Sequence, residues 1–408
     1  MYSVLRPLAL CLVASVAMAD APVITNPREA PVQRTVHYEE VWRAGADDEA
    51  EYIFGVIGDA ETDAEGNIYL LDTQQYIVFK FSADGEYLGT VSRKGEGPGE
   101  INMCFGMNRW DGDVLALDKA VPSGVVLVKN DGTPDRNLKF TFESRSENQR
   151  FAFAHGLRIR DGHLVTSGQA SRLENGLRYT THFTVTLNRE LEEVYSFGNH
   201  ESEVVFADEV NVDEAKEFNP VGIWALGREG EVYLAPRRDA WVIEVRRTTG
   251  ELVRTIRRDY EPHRRTKEEI EEAKSRWTFS SDGNLPPIHF RMCDTNQAID
   301  RMTFLGDELR VWGPRIENDV PEGTATRFEV FDRTGHLLEE RSLALPYDPE
   351  EDGLHYLADG RLVRVKAFTS AHAASNAGWD VQNGEEKEDA SNLDDFILEV
   401  IVYRPVDG

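Results

Sequence analysis

The sequence predicts an all-β fold: a single six-bladed β-propeller of four-stranded antiparallel blades, with one short helical insertion. Three observations lead there. The chain repeats itself: residues 66–92, 112–140 and 230–258 share one order, and looser copies begin at Gly162, Gly306 and Gly360. In each full copy a Gly opens an apolar strand ("GNIYLLD", "GDVLALD", "GEVYLAP"), a polar turn follows, and an alternating strand leads to a last strand. The starts at 66, 112, 162, 230, 306 and 360 fit blades of roughly 40–50 residues, some lengthened by loops. Hairpin signals recur inside the copies, at Asp84-Gly85, Asp131-Gly132, Thr249-Gly250 and Thr334-Gly335. Closing such meanders into a ring hides the strand edges that an open sheet would expose.

In chain order, residues 1–19 read as a secretory signal. Arg6 precedes an apolar run, and Ala17-Met18-Ala19 precedes Asp20, the order of an n-region, h-region and cleavage site. The run is shorter than the roughly 20 residues a membrane span needs. No second apolar run follows, so the mature chain is expected to carry no transmembrane segment and to be exported, periplasmic or extracellular. Residues 20–33 read as a linker and 34–408 as the propeller. "RTVHYEEVW" (34–42) alternates and is the candidate strand for closing the ring on the last blade.

"RKGEGPGE" (93–100) has glycines at 95, 97 and 99 but no following helix and no G-K-[ST]. It therefore reads as a strand connector rather than a phosphate loop. "TKEEIEEAKSRW" sets the helical insertion at about 266–278, with Thr266 and Glu269 at capping-box spacing. The polar stretch 372–392 reads as a mobile acidic loop within the last blade.

The whole chain has 45 Lys and Arg against 73 Asp and Glu, a formal charge of −28. Cleavage after Ala19 removes Arg6 alone, so the mature charge is one lower, −29. Such a chain is repelled by phosphate backbones, which excludes a nucleic-acid partner. Cys11 leaves with the signal. Cys104 and Cys293 remain, without CxxC spacing. On facing blades they lie too far apart for a disulfide, so separate packed thiols are expected.

The chain resembles the NHL-like six-bladed β-propeller family of exported bacterial proteins. Residues 64–101 and the closing "LEVIVYRP" (398–405) carry the resemblance. In that family a G-x-G-P-G-E run links one blade's outer strand to the next blade's inner strand. The resemblance thus implies that Gly95 to Glu100 lead from the edge of blade one to the channel of blade two. It implies a fold more than an activity.

In a propeller the innermost strands line a central channel, and the loops leading into them rim one face. Function collects there. Positions at these entrances supply the candidate ligand-binding residues Asp59, His155, Asn219, His289, Asp294 and His355. The stretch "FAFAHGLRIRDG" resembles entrances of the zinc-dependent amidating lyases and streptogramin lyases. Zinc catalysis takes three protein ligands, for which His155, His289 and His355 are the candidates, with Cys104 and Cys293 in reserve. A calcium-dependent lactonase, also six-bladed, would draw oxygens from Asp59, Asn219, Asp294 and Asp300. The bland reading comes first for each: a surface or hydrogen-bonded histidine, or an ordinary surface carboxylate. No cofactor is expected first, with zinc or calcium as alternatives. No G-x-S-x-G or H-E-x-x-H motif occurs. The expected function is a module that binds a protein or small-molecule ligand through loops at one face. The alternative is a metal-dependent lactonase or lyase at the channel mouth.

Overall fold

The structure, a computed structural model, describes residues 21–45, 51–120, 122–174, 177–202, 209–275, 277, 286–314, 320–381 and 398–406. The expected signal, 1–19, lies outside them. The periodic glycines have a common conformational cause. Gly66, Gly162, Gly230, Gly306 and Gly360 sit at φ between +57° and +90°, where the chain turns from a first strand into a second. Only glycine adopts that region without a Cβ penalty. The strands after them are apolar because they are buried on both faces; every residue of Ile68–Asp72 is buried.

The described strands are arranged as antiparallel meanders. Three are separate four-stranded sheets, starting at Ile57–Thr62, Cys104–Asp111 and Gln149–Arg160. A fourth meander, from Trp224–Leu226 to Leu252–Arg258, gains a fifth strand at its outer edge. The remaining two, starting at Arg301–Leu305 and Gly353–Tyr356, share an eight-stranded sheet. The first strands neighbour one another in sequence from Ile57–Thr62 to Arg301–Leu305. Gly353–Tyr356 returns beside Ile57–Thr62. The fold is therefore all-β and propeller-like, with hydrophobic clusters between successive sheets.

The N-terminal segment is more than the expected linker. Val23–Asn26 pairs in parallel with the edge strand Leu252–Arg258. Gln33 to His37 then pair in parallel with Glu340 to Ala344, and Tyr38 to Gly45 pair antiparallel with Glu399 to Pro405. The segment thus runs along the outer edges of three meanders and covers backbone groups that would template aggregation. Asn26, 4% exposed, ties it down: its side-chain amide donates to the Gly335 carbonyl at 2.9 Å and accepts from the Leu337 amide at 2.8 Å. The candidate closing strand does join the last meander. Its Trp42 lies against Phe81 of the first (centroids 5.4 Å apart) and donates from its indole to the Ala83 carbonyl at 3.2 Å. Trp42→Ala is expected to cost about 3–5 kcal/mol of unfolding free energy, because it opens a cavity between the two sheets. Urea denaturation would show it as a lower midpoint, and an unchanged midpoint would contradict this account of closure.

The connector after Tyr87–Ser92 is a cradle already filled by the chain itself. The Gly97 amide donates to Glu100 Oε2 at 2.9 Å, and Arg93 Nε to Oε1 at 3.2 Å. These contacts, the amide first, hold the Glu100 carboxyl below its usual range. A Cβ at Gly95 would stand 2.0 Å from Glu100 Oε2, so any larger residue there would have to displace this carboxylate.

The helical insertion is Lys267–Ser275, and its capping box forms. The Thr266 amide donates to Glu269 Oε2 at 2.6 Å and the Glu269 amide to Thr266 Oγ1 at 3.2 Å. Residues 372–381, expected as loop, belong instead to a helix, Phe368–Val381. Alanines at 371, 373, 374 and 377 favour it, and all the acidic residues that suggested a loop but Asp380 come later. Residues 382–392 lie outside the described part. No helix among the described residues is long and apolar enough to cross a membrane.

Candidate functional site

Two groups of residues stand out where the first strands and their entrances meet. The first is on the inner strands themselves. Asp59 lies within Ile57–Thr62, and its Oδ2 accepts from the Met107 amide of the neighbouring inner strand at 2.8 Å. Gly106 opens the space beside it. A Cβ there would lie 3.9 Å from Asp118 Oδ2 and 4.0 Å from Asp59 Oδ2, so two carboxylates face one point. Burial, opposed by the Leu157 amide and Arg158, pushes the Asp118 carboxyl up to about 7, and the charge of Asp59 adds to the rise. Burial and the same Asp59 charge push Glu61 to about 7, against Arg109 and Arg158. His355 joins from the last meander. Burial lowers its pKa, while Asp59 and the Ile57 carbonyl oppose the fall. Near neutral pH this cluster holds two carboxyls that can carry or release a proton beside a neutral imidazole. That is the poise acid–base work requires.

Repeat positions show how unusual Asp118 is. It stands six residues after Gly112, as Asp72 stands six after Gly66. Asp72 accepts backbone hydrogen bonds from Gly55, Val56, Gln74 and Gln75, between 2.6 and 3.3 Å. It locks the loop around it. Asp118 has one backbone amide, that of Leu157, with the Arg158 charge to help hold its own, and its buried Oδ1 has no hydrogen-bond partner among the described residues. The same residue type at the same repeat position is structural in one sheet and unsatisfied in the next.

The second group forms a cavity of about 740 Å³ at the entrances of the fourth and fifth meanders. Glu214, outside the lining itself, holds two of the lining residues in place, Arg238 and Cys293. Its Oε1 is 3.3 Å from Arg238 Nη2. Its Oε2 accepts from Arg265 Nη1 at 2.7 Å and from the Cys293 amide at 2.8 Å. Arg238 also donates to the Thr295 carbonyl at 2.7 Å and to Asp239 at 2.6 Å. One half-buried carboxylate thereby ties together three loops far apart in sequence. Glu214 is held below its usual range, because hydrogen bonds from Arg265 and Cys293 outweigh its burial. The rim carries Asp213, Arg264, Arg291, Met292, Cys293 and Asp294.

The six sequence candidates do not converge. Asp59 and His355 meet in the channel cluster, and both are on inner strands rather than ahead of them. His155 is also on an inner strand, Gln149–Arg160, at a β-bulge completed by Gly156 at φ +73°. The bulge explains the His-Gly pattern without a ligand. Burial and the neighbouring His182 hold the His155 pKa down. Asn219 is a turn residue whose Oδ1 accepts from the Val221 amide at 3.1 Å. His289 is exposed, in register with Asn211 in a short parallel pair, with Glu209 at 3.5 Å. Asp294 lies on the rim of the cavity. Asp300 accepts from Gln297 at 2.7 Å. Among the described residues no three His, Cys, Asp or Glu side chains group as metal ligands, so the proposed histidine and oxygen sets do not fit zinc or calcium.

Both thiols are free; Cys104 is buried and Cys293 half-buried. Burial raises both thiol pKa values, which leaves neither as a ready nucleophile. Glu61, Asp118 and Glu214 escaped the sequence reading. The available signal was Asp118 and Glu61 themselves: carboxylates within or ending strands that are otherwise apolar.

No family model matches the chain, and no curated protein matches it. Solved structures similar to it include a Bacteroides fragilis protein predicted to be exported, at 10% identity, covering 94% of this chain and 100% of that one, with a TM-score of 0.45. A DUF4221 family member from Bacteroides vulgatus is 9% identical, covers 92% and 100%, and has a TM-score of 0.46. Virginiamycin B lyase from Staphylococcus aureus is 8% identical, covers 79% and 80%, and has a TM-score of 0.35.

Proposed function

We propose that this chain is an exported six-bladed propeller of the NHL-like kind that binds a small polar ligand or a protein segment through the loops of one face. The observation that carries this reading is the cavity built on Glu214. Three loop segments, from two meanders and the insertion between them, converge on one carboxylate. Their side chains are held before any ligand arrives, which lowers the ordering cost of binding. The order of the first strands supports the six-bladed ring, and the apolar run before Asp20 supports export to the periplasm or medium. The charge of −28 argues against nucleic acid. Native mass spectrometry of the mature protein after exposure to a small-molecule extract of its host tests the reading. A retained compound that Arg238→Ala releases is expected; no retained compound, or one indifferent to the substitution, would refute it.

The channel cluster favours a second reading, an enzyme that uses Asp118 and Glu61 for proton transfer. Elemental mass spectrometry separates the metal-dependent version. Stoichiometric zinc or calcium lost on chelation would favour a lyase or lactonase over a binding module.

A further inference from the structure

The charges around the Glu214 cavity are almost all accounted for. Arg238 is engaged by Asp239 and Glu214, and Arg291 lies 3.2 Å from Asp213. Two charged side chains of the lining are left over, Arg264 and Asp294. Both are exposed, and neither has a hydrogen-bond or ion-pair partner for its side chain among the described residues. Their backbones are adjoining. The Arg265 amide donates to the Asp294 carbonyl at 2.9 Å, and Arg264 bridges Thr295 in antiparallel register. An arginine and an aspartate that start from neighbouring points of one small bridge would ordinarily pair with each other. Here they enter the same cavity without closing to ion-pair distance. That leaves a donor fork and an acceptor separated by open space.

We infer that this cavity takes a zwitterion, a free α-amino acid or short peptide, whose carboxylate meets Arg264 and whose ammonium group meets Asp294. Arginine's planar fork suits a carboxylate, and an ionised aspartate accepts from an ammonium. Long-range electrostatics point the same way. A chain of charge −28 repels a net anion before it arrives, whereas a zwitterion carries no net charge to repel. Met292 and Cys293, between the rim's charged groups, offer a soft apolar wall to the ligand's side chain. The volume of about 740 Å³ lies within the usual range of small-ligand pockets.

This inference rests on the binding reading above, and its test separates the two. Isothermal titration calorimetry of the mature protein uses L-alanine, L-leucine, L-alanyl-L-alanine, N-acetyl-L-alanine, L-alanine amide, succinate and putrescine as probes. Heat from a free amino acid or the dipeptide is expected, with none from either singly capped alanine. Arg264→Gln and Asp294→Asn should each weaken that binding at least about tenfold, the scale of one charge-assisted contact, with unchanged thermal melting. Free alanine and its capped forms binding alike would overturn the zwitterion, as would no heat from any amino acid or dipeptide. Succinate or putrescine binding that Arg238→Ala abolishes, without amino-acid binding, would overturn the zwitterion while leaving the cavity as a binding site. Silence from the whole panel in calorimetry, together with no compound retained in native mass spectrometry, would overturn both.

Discussion

Arg258→Leu is expected to be the most destabilising single substitution of a charged residue in this chain, at about 3–5 kcal/mol. Its side chain is 1% exposed and lies between Glu329 and Glu340, 4% and 2% exposed. Glu340 in turn is bonded to Arg327. Arg258 Nε also donates to the Pro27 carbonyl at 3.0 Å, which joins the N-terminal segment to the fourth and fifth meanders. Two guanidinium groups and two carboxylates balance one another away from water. Removing one cation leaves an excess buried anion whose desolvation is no longer offset. Arg258→Leu with Glu329→Leu restores neutrality by leaving the Arg327–Glu340 pair. The double variant should be more stable than Arg258→Leu alone, a coupling that additive effects cannot produce. Urea denaturation at pH 7 measures both. A single-variant cost under about 1 kcal/mol, or a double variant at the sum of the two singles, would contradict the buried network.

Asp118→Asn should stabilise the protein progressively as pH rises from about 4, with its full effect above about 7. The folded carboxyl titrates at about 7, above an ordinary value of roughly 4. Between those values the folded state binds more protons than the unfolded state, so this group's contribution falls as pH rises. Below about 4 both states are protonated and it contributes nothing. Above about 7 the charge is buried and the full penalty applies, of order a few kcal/mol for a shift of this size. Glu61 behaves in the same direction, and Asp59, Arg158 and His355 face the same cluster. Asparagine keeps an acceptor for the Leu157 amide and carries no charge. The melting temperature of Asp118→Asn should therefore exceed that of the parent clearly at pH 8, with the difference shrinking toward zero as pH falls to about 4 and below. Equal melting temperatures at both values would show that Asp118 titrates normally. If Asp118 also serves in proton transfer, the stabilised variant should be the less active one, as expected where function maintains local strain.

Much of the architecture was legible because it depends on local chemistry repeated along the chain. Positive-φ glycines end first strands, Asp-Gly and Thr-Gly close hairpins, and doubly buried strands are apolar. Each of these leaves a mark at a fixed offset. Thr266 and Glu269 could be read as a cap for the same reason. The glycines of "GEGPGE" were recognisable as a connector, although the sequence did not reveal that Glu100 fills the cradle they make.

The candidate site was less legible. Asp59 and His355 were singled out from the sequence and lie in one cluster, but their neighbours Glu61 and Asp118 were not, and Asn219 is a turn residue. Asp72 and Asp118 show why. They are the same residue at the same repeat position, and the difference between them is how many backbone amides the fold brings within 3.3 Å. The path of the N-terminal segment, the Arg258 network and the loops joined by Glu214 are likewise contacts between residues tens to hundreds of positions apart. The sequence by itself determined the all-β class, the repeat and its turns, because these follow from φ preference and hydrophobic period. The tertiary structure alone decided which carboxylates are satisfied, which are buried without partners and which charges face a cavity. Burial and hydrogen bonding are set by neighbours in space, and those neighbours exist only once the sheets have packed.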